Sequence, residues 1–266
     1  MDVEHRAPAP ALRPFLERGL EGWASAGAAG QRLRELPFPG VPLILNLGAH
    51  WTIAERDTAP EPRDSFVAGL HTGPTIVDGP PAYACIELRL TALGARRLLG
   101  VPMDELADRT VPLEDVLPGS AELVDRLRET ASWNARFDLL ESFLLRRAAE
   151  TTEPSPEVAW SWSRLVHSGG RVPIGALAAE LQWSPRRLIA RFRDQIGLAP
   201  KTAARIIRFD RAVAAIRAGD RRSLAELALD VGYFDQAHLN RDFRALGDIA
   251  PTQLANALLA SGGIVA

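Results

Sequence analysis

Between Val172 and Thr252 one helix-turn-helix pattern is written twice, and nothing else in the 266-residue chain restricts its fold as much. In the first copy Leu177-Ala178-Ala179-Glu180-Leu181 runs through Gln182-Trp183 to Ser184, after which Leu188 and Phe192 fall four residues apart. In the second, Leu227-Ala228-Leu229-Asp230-Val231 runs through Gly232-Tyr233-Phe234 to Asp235, and Leu239 and Phe243 repeat the spacing. A shift of 51 carries Ser184 onto Asp235, Leu188 onto Leu239, Phe192 onto Phe243, Arg193 onto Arg244 and Pro200 onto Pro251.

Local signals bound each helix of the repeat. Ser155 caps a helix with Pro156 at its first position, and Gly169-Gly170 ends it. Ser184-Pro185 starts a later helix by the same logic, and a long connecting helix spans Thr202 to Ala218. Ser223 and Glu226 form a capping box, and Asp235 caps the last recognition-type helix. At 100° per residue Leu188, Phe192 and Ile196 share one side of their helix, so Arg186, Ala190 and Arg193 take the other with Arg187 and Ile189 beside them. In the second copy Leu239, Phe243 and Leu246 pack, while Ala237, Arg241 and Arg244 face outward with His238 and Asn240 alongside. An apolar side on the preceding helix and a basic side left free suit a major groove. Arginine takes guanine bidentately and asparagine takes adenine, so the candidate base readers are Arg186, Arg187, Ile189, Ala190, Gln236, Ala237, Asn240 and Arg241. Helix amino ends and neighbouring cations suit phosphates, which nominates Ser184, Arg193, Lys201, Arg205, Arg208, Asp235, His238 and Arg244.

Charge divides the chain in the same place. The net charge is −2, but residues 155–266 hold 15 Lys+Arg against 10 Asp+Glu, leaving 16 against 23 elsewhere. Basic charge therefore lies with the repeat, where a polyanion is the expected partner. The polar, two-proline stretch 151–156 reads as a linker between a domain over 1–150 and a helical domain over 157–266.

Ahead of the linker the pattern is mixed. A short helix is expected around Pro14 to Trp23. Strands are expected at 42–47, 51–53 and 65–70, and at Tyr83 to Leu90, where Ile86, Leu88 and Leu90 alternate with Cys85, Glu87 and Arg89. Helices follow at 91–99, 120–130 and 135–149, and the last carries Phe137, Leu140, Leu144 and Ala148 on one stripe, either covering the sheet or pairing with a second subunit. The expected class is α+β, with a small β-barrel-like or β-sheet domain covered by helices, then an all-α domain.

Several functions are disfavoured. No apolar run reaches the roughly 20 residues that span a bilayer, and the amino end has no signal-peptide core, so a cytoplasmic protein without a membrane partner is expected. One cysteine, Cys85, leaves no internal disulfide or cysteine metal cluster. The five histidines lack metal-pair spacing, and no nucleophile elbow, phosphate loop or dinucleotide fingerprint is present, so neither metal, cofactor nor catalytic residue is assigned. Trp51, beside His50, reads as core before it reads as a ligand-stacking side chain.

The repeat resembles the DNA-binding domain of the AraC/XylS family of bacterial transcription regulators. The likeness is carried by Leu177-Ala178-Ala179-Glu180-Leu181, Ser184-Pro185-Arg186-Arg187-Leu188, Arg191-Phe192-Arg193 and Gly197-Leu198-Ala199-Pro200. In the second unit it is carried by Val231-Gly232-Tyr233, Asp235-Gln236-Ala237-His238-Leu239, Arg241, Phe243-Arg244 and Ala250-Pro251. Val67-Ala68-Gly69-Leu70-His71 and the run Thr91 to Gly100 resemble the amino-terminal halves of actinobacterial AraC-like regulators of unknown ligand. The resemblance implies two recognition helices in successive major grooves of an operator in double-stranded DNA. It further implies an amino-terminal effector-binding or dimerisation domain, a small-molecule effector, a homodimer and RNA polymerase as partner. A regulator answering to a partner protein is the alternative, and a cupin-like enzyme with a helical regulatory domain a distant one. Three positions depart from the family: Gln182 stands at a turn glycine, Ala190 where Arg241 stands in the second unit, and Asp248 at the glycine matched by Gly197, with Gly247 able to shift that turn.

Overall fold

A computed structural model describes residues 2–26, 30–55, 58–257 and 264–265. The amino-terminal half is built from two antiparallel sheets. One has six strands, β1 (Asp2–Arg6), β2 (Leu20–Ser25), β9 (Tyr83–Thr91), β4 (Gly40–Asn46), β7 (Phe66–Ala68) and β10 (Thr110–Pro112), in that spatial order. The other has β11 (Ile264–Val265), β3 (Gln31–Glu35), β8 (Thr75–Gly79), β5 (Trp51–Ala54) and β6 (Glu61–Arg63). Ile86, Leu88 and Leu90 of β9 are fully buried, as are Leu43 and Leu45 of β4. The opposite face of β9, with Cys85, Glu87 and Arg89, turns toward the space between the sheets.

Helices cover the buried face of the first sheet. Thr91 caps α1 (Ala92–Leu99) by accepting from the Gly94 N–H, and Gly100 closes it in a left-handed conformation at φ 74°. A three-residue turn at Met103–Glu105 leads on to α2 (Ser120–Glu129) and α3 (Trp133–Glu150). The buried residues of α3 are Phe137, Leu140, Glu141, Leu144 and Ala148, so the apolar stripe packs within the chain, against α1, α2 and the amino-terminal turn Pro10–Phe15. Buried Glu141 is held by Arg6 and by the Ala9 N–H, each at 2.6 Å.

The helix expected at 14–23 is replaced by that 3-10 turn, Pro10–Phe15, and by strand β2. Leu20 faces the core and Gly22 passes beneath the Trp133 ring, where a Cβ would lie 2.5 Å from the indole. Such an approach suits an extended glycine better than a helical one.

The carboxy-terminal half is helical: α4 (Pro156–His167), α5 (Ile174–Glu180), α6 (Pro185–Ile196), α7 (Pro200–Arg217), α8 (Leu224–Val231), α9 (Gln236–Asp242) and α10 (Pro251–Ala257). The first helix-turn-helix unit shares its core with the amino-terminal half, since Leu188, Phe192 and Ile196 cluster with Leu98, Leu99 and Met103. Gly197 turns there at φ 102°, and a Cβ would lie 3.0 Å from the Met103 carbonyl oxygen. The second unit has a separate core of Phe209, Leu227, Val231, Leu239, Phe243 and Leu246, to which the amino-terminal half adds Leu36. Beside Leu36, Arg34 donates to the Asp248 carbonyl at 2.6 Å and pairs with its carboxylate at 3.0 Å. Ile264 and Val265 pair antiparallel with Arg34 and Leu33 on the first domain's sheet.

Candidate DNA-reading surface and cavity

Each recognition helix begins with a side-chain cap. Ser184 accepts from the Arg187 N–H at 3.2 Å, and Asp235 from the His238 N–H at 2.7 Å. The second unit's capping box is closed in both directions, with Ser223 and Glu226 exchanging bonds at 2.9 and 3.2 Å. These caps leave other amide groups of the first turns open to an anion.

The two units turn at the joint in the same left-handed way, on different residue types. Gly232 adopts φ 96°, and at the matching position Gln182 adopts φ 54°, the left-handed region that costs a residue with a Cβ. Asp248 is itself left-handed at φ 49° while Gly247 is absent from that region, so the turn is not shifted onto the glycine.

Packing sorts the sides of both recognition helices. Leu188, Phe192 and Ile196 are fully buried, with the Trp162 ring tilted against Phe192 at 6.2 Å. Arg186, Arg187, Ile189, Ala190 and Arg193 are exposed. In the second unit Leu239, Phe243 and Leu246 are fully buried, and Phe243 meets Phe209 edge-on at 4.9 Å. Gln236, Ala237, Arg241 and Arg244 are exposed, while His238 and Asn240 are half-buried. The Arg187 guanidinium lies 4.4 Å from the Trp183 ring, and His238 packs edge-on against Tyr233 at 5.0 Å.

Among the candidate phosphate contacts Lys201 is exposed at the start of α7. Arg205 and Arg208 are engaged inside the domain. Arg205 donates to buried Asp242 at 2.6 Å. Arg208 donates to the Gly170 carbonyl at 2.6 Å and covers the Tyr233 ring at 5.6 Å. Their place on α7, facing α9 and the turn after α4, decides this; the spacing of charges in the sequence does not show it.

Residues 177–257 match the sequence family described as Helix-turn-helix domain. The carboxy-terminal half is an AraC-type helix-turn-helix domain. Residues 4–112 match a Domain of unknown function (DUF6597). The same two-part architecture occurs in the 1.65 Å structure of ToxT from Vibrio cholerae, at 9% identity and a TM-score of 0.50 over 89% of this chain and 97% of that one. ToxT from Vibrio cholerae O395 bound to (E)-4-(8-methylnaphthalen-1-yl)but-3-enoic acid matches at 10% identity and a TM-score of 0.50 over 89% and 97%. The C-terminal domain of AraT, a response regulator from Geobacillus stearothermophilus, matches 40% of this chain and 88% of that one at 20% identity and a TM-score of 0.37. No relative was found among curated proteins. Residues 177–257 thus supply a DNA-binding module of the helix-turn-helix type. Among the described residues no helix is long and apolar enough to cross a membrane.

A cavity of about 310 Å³ lies between the two sheets. Trp23, Phe38, Ile44, Trp51, Phe66 and Tyr83 supply much of its apolar wall, with Trp51 and Tyr83 packed at 5.0 Å. Trp51 is therefore a wall residue and not sealed core. Burial pushes the Cys85 thiol, also on the wall, up to about 12. At the domain seam the wall becomes charged, through Arg18 from the connection before β2, Glu35, Glu87 and Arg89 from the sheets, and Arg217 from the end of α7. Desolvation raises the Glu35 and Asp210 carboxyls, while the nearby Arg89 and Arg217 guanidiniums oppose the rise. Desolvation likewise pushes Glu17 up to about 7, opposed by Arg89. Sequence alternation had shown Glu87 and Arg89 on one face of a strand; that this face lines a cavity depends on the second sheet.

Proposed function

We propose that this regulator reads a two-part operator with α6 and α9, and that a small apolar effector in the cavity between its sheets sets how well the two helices dock. Base edges are assigned to Arg186, Arg187, Ile189 and Ala190 on α6, and to Gln236, Ala237, Asn240 and Arg241 on α9. Phosphates are assigned to Ser184, Arg193, Lys201, Asp235, His238 and Arg244. The observation that carries the reading is the repeated exposure of one basic helix edge behind a buried apolar one, in two units joined by a single helix.

The effector half of the proposal rests on the cavity. It is lined from both domains, because Arg217 of α7 closes a wall otherwise made by the two sheets. A ligand touching Arg217 acts on the helix that carries both units, so its differential affinity for two arrangements of that helix shifts their populations. The ring-bearing acid in one ToxT structure shows that a protein of this fold binds a small apolar molecule.

Hydroxyl-radical footprinting of the full chain on a selected DNA tests the DNA half. Two protected patches about one helical turn apart are expected. A single patch, or protection that moves freely along the DNA, would set this reading aside.

A further inference from the structure

The turn ahead of the second recognition helix carries one residue more than the turn ahead of the first. In the first unit the left-handed Gln182 is followed by Trp183, whose N–H donates to the Ala178 carbonyl at 2.9 Å, and then by the cap Ser184. In the second, the left-handed Gly232 is followed by Tyr233, whose N–H donates to the Ala228 carbonyl at 2.8 Å, but Phe234 comes before the cap Asp235. The same turn is thus closed in both units before Phe234 is reached. Phe234 is 86% exposed, the most exposed large apolar side chain among the described residues.

An apolar residue just ahead of a helix cap ordinarily packs on the fourth residue of that helix. Trp183 holds that position in the first unit and packs against the shared core. In the second unit the fourth residue, Leu239, is fully buried in a core to which Phe234 does not belong. Tyr233 fills the inner side of the turn instead, 3% exposed and braced by His238 at 5.0 Å and by Arg208 at 5.6 Å. The Phe234 ring therefore neither closes the turn nor fills the core.

Its surroundings are the reading edge of α9. Gln236 and Ala237 in the first turn are exposed, and Arg241 and Arg244 continue that edge with positive charge, which suits a polyanion. The amino end is the part of a recognition helix that reaches base edges. An aromatic ring forms no hydrogen bond to a base edge there, and the major-groove group that answers it is the C5 methyl of thymine. Ala237, three residues on, adds a second small apolar side chain at the same end of the helix.

Resting on the reading of DNA by α9 given above, we propose that Phe234 reads a thymine, its ring set against the C5 methyl in the major groove. The first unit lacks this contact, because its shorter turn keeps Trp183 against the core and beside the Arg187 guanidinium at 4.4 Å. The half of the operator read by α9 therefore carries a thymine requirement that hydrogen bonds from Asn240 and Arg241 do not supply.

Replacing thymine by deoxyuridine removes that methyl and keeps every base-pair hydrogen bond, so it isolates the contact. The full chain is titrated by fluorescence anisotropy onto the operator it selects from a random DNA pool. Each thymine of the segment that loses definition in Arg241→Ala is changed to deoxyuridine in turn, beside the unmodified duplex and a scrambled one. For the parent, deoxyuridine at one position is expected to weaken binding about fourfold, the worth of one buried methyl. Phe234→Ser should bind the thymine and deoxyuridine operators within about 1.5-fold of each other, and scrambled DNA as tightly as the parent does, as a folded second unit would. A parent indifferent to deoxyuridine at every position, a penalty that persists in Phe234→Ser, or an equal loss on operator and scrambled DNA overturns the thymine assignment and leaves reading by two helices standing. If the full chain selects no operator, the reading of DNA itself fails and the assignment falls with it.

Discussion

Removing Arg205 separates two roles that an exposed-looking arginine on a DNA-binding helix can have. Its Nε lies 2.6 Å from Asp242 Oδ1, with the carboxylate side chain 5% exposed and the arginine 36% exposed. Breaking a fully sealed ion pair by deleting one partner costs about 3–5 kcal/mol, because the other charge is stranded. Here water reaches the arginine end, so about 2 kcal/mol is expected for Arg205→Met, which keeps the apolar stem. The loss should fall on the second unit, whose core is separate from the one shared by the first unit and the sheets. Hydrogen exchange of α9 amides reads it directly, as a drop of about 2 kcal/mol in their opening free energy with α6 little changed. Arg205→Met combined with Asp242→Leu should recover more than half of the loss, since no charge is then stranded. The slope of log affinity against log salt on DNA should stay the same. A slope smaller by about 0.9, with α9 exchange unmoved, would make Arg205 a phosphate contact and refute the structural role.

Other expectations follow from the same geometry. Arg241→Ala should lose roughly 1–3 kcal/mol on the preferred operator while non-specific binding is nearly intact, as read by fluorescence anisotropy on matched and scrambled DNA; an equal loss on both would place Arg241 on a phosphate. Gly232→Ala should destabilise the second unit by about 1–3 kcal/mol in urea unfolding, since φ is 96° and the new Cβ would lie 2.7 Å from Arg171 Cγ. Gln182→Gly should stay within about 1 kcal/mol of the parent, because relief of the left-handed strain is offset by a freer unfolded chain. Glu17, whose carboxyl is pushed up to about 7 against an ordinary 4.5, binds a proton in the folded chain that the unfolded chain has already released. Stability should therefore fall as pH rises from about 4.5 to about 7, and Glu17→Gln should remove that part of the slope in urea titrations. A variant with the parent's pH dependence would show that Glu17 is ionised throughout.

The helical half was legible because its signals are local. Ser184, Ser223 and Asp235 announce helix starts through their own hydrogen bonds, and the four-residue spacing of Leu188 and Phe192 announces the buried side. The left-handed turn at Gln182 was legible only by comparison with Gly232. The strands Asp2–Arg6, Leu20–Ser25 and Gln31–Glu35 were not legible. Asp2–Arg6 and Gln31–Glu35 lack an apolar period, and each of the three is stabilised by partners distant in sequence, such as β9 against β2 and β8 against β3. The cavity was hidden for a related reason. Its charged end joins Glu35, Glu87, Arg89 and Arg217, which no single periodic segment brings together. Arg205 and Arg208 looked like surface charge because their acceptors, Asp242 and the Gly170 carbonyl, lie 37 and 38 residues away.

Two recognition helices in one chain are proposed to read sequence together. Selection of bound DNA from a random pool, with the full chain and with Arg186→Ala and Arg241→Ala at about physiological salt, tests it most directly. One motif with two segments about one helical turn apart is expected, one segment losing definition in each variant. Enrichment of no motif, or loss of the same segment in both variants, would contradict it.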